Sequence, residues 1–319
     1  MKEVMVSVVC TTYNHEKYIR QCLDGFVAQN TSFLFEILIH DDASTDKTAD
    51  IIREYEIKYP GLFRTIYQKE NQYSKHINIL ARYIFPYVRG KYVAYCEGDD
   101  YWCDPFKLQK QYDYMEEHPD CSLCVHNTRV INEDGSFSNS WLNYTLHDLD
   151  YSIDDIIRSR GSGFHTSSFF YRSLYLELPN QFFIEGVGDY NRAIYLSSKG
   201  NVHYICETMS CYRIGSTNSW TVRTHRNIDQ LRSFYSSMIH GLIRIGEELG
   251  EEHDKAIKEA INQYELDLFL LSHCKYFAFL SPLKFISLFN RIKGRCDLHI
   301  SKKQFLNKMY YKKRGRIHE

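Results

Sequence analysis

The chain has 319 residues, 44% of them hydrophobic, and its 39 lysines and arginines almost balance 40 acids. That is enough apolar material for one large core plus an appendage, and the near-neutral charge argues against a nucleic-acid binder that works by bulk basicity. Ten cysteines scattered through apolar runs read as reduced, buried thiols and not as a disulfide framework.

The opening "MKEVMVSVVC" turns polar at "TTYNHE" before its apolar run reaches the length of a leader or a membrane span. A cytoplasmic protein is therefore expected. Within that opening, "VMVSVVCT" is the continuous β-branched run of a strand buried on both faces. Ile19, Leu23, Phe26 and Val27 follow at helical spacing, and "FEILIHDD" is a second strand. Ser44 or Thr45 is placed to cap a helix bearing Ile51, Ile52 and Tyr55, which Pro60-Gly61 ends. "FRTIYQ" is the third strand, "HINILARYIFPYV" a helix interrupted near Pro86, and "KYVAYC" the fourth strand. The alternation predicts an α/β domain with right-handed crossovers and a parallel sheet.

Farther on, Asp104 and Pro105 open the helix "PFKLQKQYDYM". Cys121-x-x-Cys124 has metal-like spacing, yet it lies in the apolar run "CSLCVHN", so a core strand is expected there over a zinc site completed by Cys206 and Cys211. Asp134-Gly135 signals a hairpin, "SIDDIIRSR" a short helix, "HTSSFFYRS" a strand, and Asp189 to Ser198 a helix stopped by Gly200. After about residue 221 only helical patterns occur, and from Lys275 onward cations dominate. The expected organisation is a catalytic domain over residues 1–220 and a helical basic region over 221–319. "KYFAFLSPLKFISLFNRIKGR" suits either an amphipathic helix on an anionic membrane or a packed helix with a solvated basic face.

Three polar clusters close predicted strands, "TTYNHE", "HDDASTD" and "EGDDYW", and in such sheets ligands bind beyond the carboxyl ends of the strands. The last cluster packs Glu97, Asp99 and Asp100 into four residues. Their repulsion and desolvation need a cation or hydrogen-bond donors among them. Neither G-x-G-x-x-G nor a P-loop follows the first strand, which argues against a dinucleotide oxidoreductase or a P-loop enzyme. Hard carboxylate oxygens suit Mn²⁺ or Mg²⁺ on a diphosphate.

"VSVVCTTYNHEKYIRQCLDGFVAQ", "FEILIHDDASTDKT" and "GKYVAYCEGDDYWCDPFKLQKQ" together resemble glycosyltransferase family 2, over about residues 4 to 215. The resemblance implies a GT-A fold, a Rossmann-like and mostly parallel sheet flanked by helices, here with a helical C-terminal extension. It also implies an inverting, metal-dependent transfer of sugar from a nucleotide-diphosphate sugar, with UDP as the expected nucleotide, to a saccharide or lipid-linked acceptor. Bacterial surface polysaccharide or capsule synthesis is the implied setting, at the inner face of the membrane, with the basic tail as a peripheral contact. By the same resemblance Thr11 and Tyr13 hold the base, Asp42 and Asp99 contact the nucleoside, and Asp99 and Asp100 match the D-x-D-type metal element. Because the element reads Glu-Gly-Asp-Asp, which acids touch the metal stays open.

Asp189, opening a helix after an acceptor-side loop, matches the family's general base, with Glu185 as the substitute; His165 and Thr166 line the acceptor side. The structural alternatives are a core aromatic for Tyr13, an Asx-turn or a cap of the following helix for Asp42, and a helix N-cap for Asp189, a role that can coincide with catalysis. Where many relatives carry a late Y-R-x-H, this chain has Gly215 in "CYRIGSTNSW", which leaves His203 or His225 to compensate. The Gly, Ser and Thr-rich stretch from Ile214 to Thr221 reads as a lid. Two rivals remain: a sugar-phosphate nucleotidyltransferase, for which "CTTYNHEKY" lacks the glycine-rich basic loop, and a noncatalytic carbohydrate-binding relative, which would not need the acids.

Overall fold

Among the described residues ten strands form in the order β1 (Val4–Thr12), β2 (Leu34–Asp41), β3 (Phe63–Tyr67), β4 (Tyr92–Tyr95), β5 (Tyr101–Trp102), β6 (Cys121–Ile131), β7 (Phe137–Leu142), β8 (Leu149–Tyr151), β9 (Phe170–Arg172) and β10 (Asn201–Arg213). The computed structural model describes residues 3–75, 77–142, 145–215 and 228–277. It divides into two units, Met1–Arg223 and Thr224–Glu319.

In the first unit the sheet runs β3-β2-β1-β4-β9-β6-β10-β5. The first four strands are parallel, joined through helices α1 (Ile19–Val27) and α2 (Thr48–Lys58), as the alternating pattern demands. Val6, Val8 and Cys10 of β1 and Ile37 and Ile39 of β2 are fully buried against Ile19, Leu23 and Phe26 of α1. Beyond β4 the sheet becomes mixed. β9 is antiparallel to both β4 and β6, β7 returns on β6, and only β10 runs parallel to β6. The expectation of a mostly parallel sheet thus holds for the first half, while the short returns of the second half, including the hairpin at Gly135 (φ +83°), enforce antiparallel pairing.

Two local expectations need correction. The helix expected over "HINILARYIFPYV" is a wide helical turn, Leu80–Ile84, followed by a 3₁₀ turn, Phe85–Tyr87, because Pro86 has no N–H to continue a ladder. Helix α2 starts at Thr48, with Lys47 and neither Ser44 nor Thr45 at the cap position, and the Thr48 amide is satisfied by the Asp46 carboxylate at 2.9 Å. The remaining helices of this unit are α3 (Lys107–Glu117), α4 (Ile153–Ser159) and α5 (Gly188–Ser197). Cys121 and Cys124 are buried thiols in β6.

In the second unit two helices, Ile228–Leu249 and Asp254–Phe277, flank Gly250, whose φ of +95° ends the first helix as glycine commonly does. A Cβ on Gly246 would stand 3.3 Å from Ile257, so the lack of a side chain lets the two helices pack closely. Among the described residues no helix is long and apolar enough to cross a membrane.

Candidate active site

The loops after β1 and β2 are sewn to each other. Asn14 donates its amide to Ser44 Oγ at 2.9 Å and accepts from the Thr45 amide at 2.7 Å, and the His15 amide donates to Thr48 Oγ1 at 2.8 Å. Asn14 (φ 55°) and Ala43 (φ 62°) sit in the left-handed region, a strain of order 1 kcal/mol each that the stitching maintains. Tyr13, 37% exposed, stands on this rim, and the Thr11 hydroxyl lies 2.9 Å from the Tyr95 hydroxyl. Tyr13 is thus no core aromatic. Asp42 is buried at the end of β2, and its two carboxylate oxygens accept from the amides of Gln72 (2.7 Å) and Tyr73 (3.0 Å). It pins the loop after β3 to the rim, at the start of a short 3₁₀ turn (Tyr73–Lys75), and does not cap α2.

The acidic loop after β4 is laid onto the end of β1 by backbone bonds, Cys96 N–H to Val9 C=O at 3.1 Å and Gly98 N–H to Thr11 C=O at 3.0 Å. Gly98 is required by this approach, since a Cβ there would stand 2.7 Å from Thr12 Oγ1. Trp102 anchors the far side of the loop, buried edge-on to Phe26 and donating its indole N–H to the Ser167 carbonyl at 3.0 Å.

This seating fans the acids apart. Asp99 turns toward His15, with 3.8 Å between its Oδ2 and the imidazole Nε2. Asp100 points the other way: its Oδ1 accepts from the Arg213 amide at 2.8 Å, and its Oδ2 lies 3.5 Å from His165 Nε2. The Arg213 guanidinium holds the loop from beneath, donating to the Asp99 carbonyl at 3.0 Å and to Gln21 Oε1 at 2.9 Å while lying over the Tyr18 ring.

Burial and mutual repulsion keep the cluster from ionising freely. Glu97 is pushed up to about 8, first by burial and then by the charges of Asp99 and Asp189, against a smaller pull from the Thr166 hydroxyl. Asp100 is raised well above the ordinary carboxylate range by burial, Asp99 and Glu97. Burial draws His165 down to about 3, which leaves its imidazole neutral at physiological pH. Donor atoms of Glu97, Asp100 and His165 all lie within 4.8 Å of one another, the only such trio among the described residues. Glu97 Oε2 is buried with no hydrogen-bond partner. Two hard oxygens, one of them orphaned, beside a neutral imidazole fit a divalent cation.

The sequence reading placed Asp99 and Asp100 on the metal and His165 on the acceptor side. The structure brings Glu97 and His165 together with Asp100 and turns Asp99 to His15. The available signal was the departure at Gly215, since a missing late histidine calls for another from elsewhere in the chain. His203 does not supply it: it stacks on Tyr114 and pairs with Asp150 at 2.7 Å. His225, the segment 216–221 and the tail beyond residue 277 lie outside the described residues.

Asp189 is the second residue of α5, half-buried, and its Oδ1 accepts from the Tyr190 amide at 2.7 Å. The carboxylate thus serves the first turn of the helix without occupying the cap position, which is Val187. Burial raises its pKa, and its charge is close enough to raise that of Glu97. Glu185 is exposed in the preceding loop, next to Gly186 at φ +85°.

Known proteins agree with this architecture. The mannosyltransferase PcManGT of Pyrobaculum calidifontis, solved with GDP-Man and Mn²⁺, superposes with a TM-score of 0.57 at 14% identity over 96% of this chain and 84% of its own. TarS 1–349 of S. aureus, solved with UDP, gives 0.58 at 17% identity, over 92% of this chain and 80% of that one. The fold is therefore the GT-A fold. In sequence, the uncharacterised protein Rv1520 of Mycobacterium tuberculosis is 38% identical over 240 residues, which are 74% of this chain and 65% of the relative, so the match spans less than two thirds of that protein. TuaG of Bacillus subtilis, a glycosyltransferase named for teichuronic acid biosynthesis, is 30% identical over 132 residues, 41% of this chain and 50% of TuaG. The model of the family described as "Glycosyl transferase family 2" matches residues 7–179, and the chain belongs to that family.

Proposed function

We propose that the protein is an inverting, metal-dependent glycosyltransferase that moves a sugar from a UDP-sugar to a hydroxyl of a saccharide or lipid-linked acceptor in bacterial surface polysaccharide synthesis. The observation that carries this reading is the pairing of a cation-ready acid cluster with a second carboxylate, Asp189, whose charge reaches Glu97 from a different element. A donor diphosphate held at the cluster would then have a proton acceptor, Asp189, in its neighbourhood. Names of relatives point the same way: TuaG is named for a polysaccharide, TarS was solved with UDP and with UDP-GlcNAc, and PcManGT with GDP-Man and Mn²⁺.

In this mechanism the exposed ring of Tyr13 and the Thr11 hydroxyl receive the nucleoside on the stitched rim. Asp42 fixes the loop that forms the rim's other wall, and Asp99 faces the ribose side. Asp189 accepts the proton of the acceptor hydroxyl as that oxygen attacks the anomeric carbon. The bond to the nucleoside diphosphate breaks with its electron pair on the leaving oxygen, so configuration inverts in one displacement. Glu97 and Asp100, with His165, would hold Mn²⁺ or Mg²⁺, and the cation when bound neutralises charge on the departing diphosphate. Thr166, beside Glu97, lines the acceptor side of the same space.

The test is a panel of nucleotide sugars offered to the purified full chain with Mn²⁺, read as donor binding and slow donor hydrolysis. Binding of a UDP-sugar that EDTA abolishes supports the reading; binding of no nucleotide sugar, with metal present, overturns it.

A further inference from the structure

Lys107, the first residue of α3, is fully buried, a place where lysine is rarely found. Its amine donates to the Gln111 side-chain oxygen at 2.7 Å and stands 4.3 Å from the centre of the Trp102 ring. Asp104, whose charge reaches the amine, is itself paired with Lys110 at 2.7 Å. Burial draws Lys107 down to about 7, against smaller upward pulls from Cys96 at the end of β4, Cys124 of β6 and Asp104. His126 of β6 also faces it, and burial together with the amine's own charge keeps that ring neutral.

Both partners of the amine lead to the candidate site. Trp102 lies two residues beyond Asp100 and donates its indole N–H to the Ser167 carbonyl at 3.0 Å. Gln111 donates its amide to the carbonyls of Cys124 and Ser168, each at 2.9 Å. The Ser168 amide in turn donates to the His165 carbonyl at 2.9 Å, which closes the turn carrying His165 and Thr166. One ammonium thus joins the side chain that anchors the acid loop to the side chain that anchors the facing turn. A methionine would fill the same space without desolvating an amine, but it could neither donate to Gln111 nor attract the indole face as a cation does.

We propose that Lys107 is a positioning residue for the donor site: its ammonium clamps Trp102 to Gln111 and so holds Asp100 and His165 at their 3.5 Å separation. The proposal rests on the donor-site reading given above. The clamp belongs to the charged amine, because a neutral one has a hydrogen fewer and loses the cation's attraction for the ring. Loss of the proton slackens both ties together. Donor binding and protonation of Lys107 therefore strengthen each other, and by the same factor.

The experiment measures UDP binding to the full chain with Mg²⁺ by calorimetry between about pH 6 and about pH 9, for the parent and for Lys107→Met. The parent should bind about tenfold more tightly than the variant at the acid end, and the ratio should shrink to within about threefold at the alkaline end. Ionisation of the acid cluster acts on both proteins and cancels in the ratio. A second arm needs no variant to fold: the parent, grown with lysine labelled at the ε-carbon, is titrated by NMR with and without UDP and Mg²⁺. Lys107 is recognised by its low midpoint, which the ligands should raise by about one pH unit. A ratio that stays constant with pH, equal affinities throughout, or a midpoint that UDP and Mg²⁺ leave in place overturns the proposal while the donor-site reading stands. Absence of metal-dependent UDP binding in the parent overturns both.

Discussion

Replacing Glu97 by Gln should stabilise the metal-free protein at alkaline pH and leave it unchanged at acid pH. The carboxyl is held near 8 in the fold against an ordinary value of 4.5. Folding therefore favours the protonated form, and its contribution is fully present below about 4.5. Stability drains away as pH climbs through the interval to about 8, at roughly 1.4 kcal/mol for each pH unit. Taken over the whole interval that is roughly 5 kcal/mol, and coupling to the neighbouring Asp100 carboxyl reduces the part that one substitution recovers to about 2–3 kcal/mol. Glutamine has the same shape and never ionises. The assay is a denaturant titration of EDTA-treated parent and variant at pH 5 and pH 8.5, followed by tryptophan fluorescence, for which buried Trp102 is a suitable reporter. Saturating Mn²⁺ should reverse the order at pH 8.5, because only the parent offers the charged oxygen to the ion. An EDTA-treated variant no more stable than the parent at pH 8.5 would refute the idea that Glu97 is buried against its own charge.

Asp100→Ala should abolish metal-dependent UDP binding while the fold survives, which calorimetry with and without EDTA would show; undiminished binding contradicts the metal assignment. Asp189→Asn should fold and bind donor normally but lose about 10²–10⁴-fold in kcat, and activity within a few-fold of the parent would bring Glu185 forward. Because burial raises the Asp189 pKa and a base works ionised, the parent's rate should fall on acidification at a higher pH than for a free aspartate. Asp42→Ala should weaken donor binding by about 1–3 kcal/mol through the freed Gln72 and Tyr73 amides, and unchanged affinity would restrict Asp42 to fold support. Deleting residues 275–319 should remove salt-sensitive sedimentation with anionic vesicles, and equal sedimentation of full-length and shortened chains would exclude a membrane role for the tail.

The first half of the fold was readable because its strands are buried on both faces and therefore spell long β-branched runs, while α1 shows a clean helical period. The second half was less so: β5, β8 and β9 are two or three residues long, too short for any periodicity to register. At the site, the acids were legible from the cost of packing them together. Their division of labour was not, because the turn over residues 97–100 decides which carboxylate faces His15 and which faces His165. His165 meets Asp100 only through strand pairings remote in sequence, and Asp42 meets the amides of Gln72 and Tyr73 across about thirty residues that include α2 and β3.

The stitching of the loops after β1 and β2 bears on how donor preference could be altered. Asn14 reads Ser44 and Thr45, and His15 reads Thr48, so a change in either loop is transmitted to the other through the same few hydrogen bonds. Substitutions on the two sides should be strongly non-additive, with coupling energies of about 0.5–3 kcal/mol in double-mutant cycles. A library that varies Tyr13 to His15 while holding Ala43 to Thr48 constant would mostly sample broken rims. Exchanging both loops together, as one cassette from a single relative, keeps the left-handed residues matched to the bonds that hold them in place.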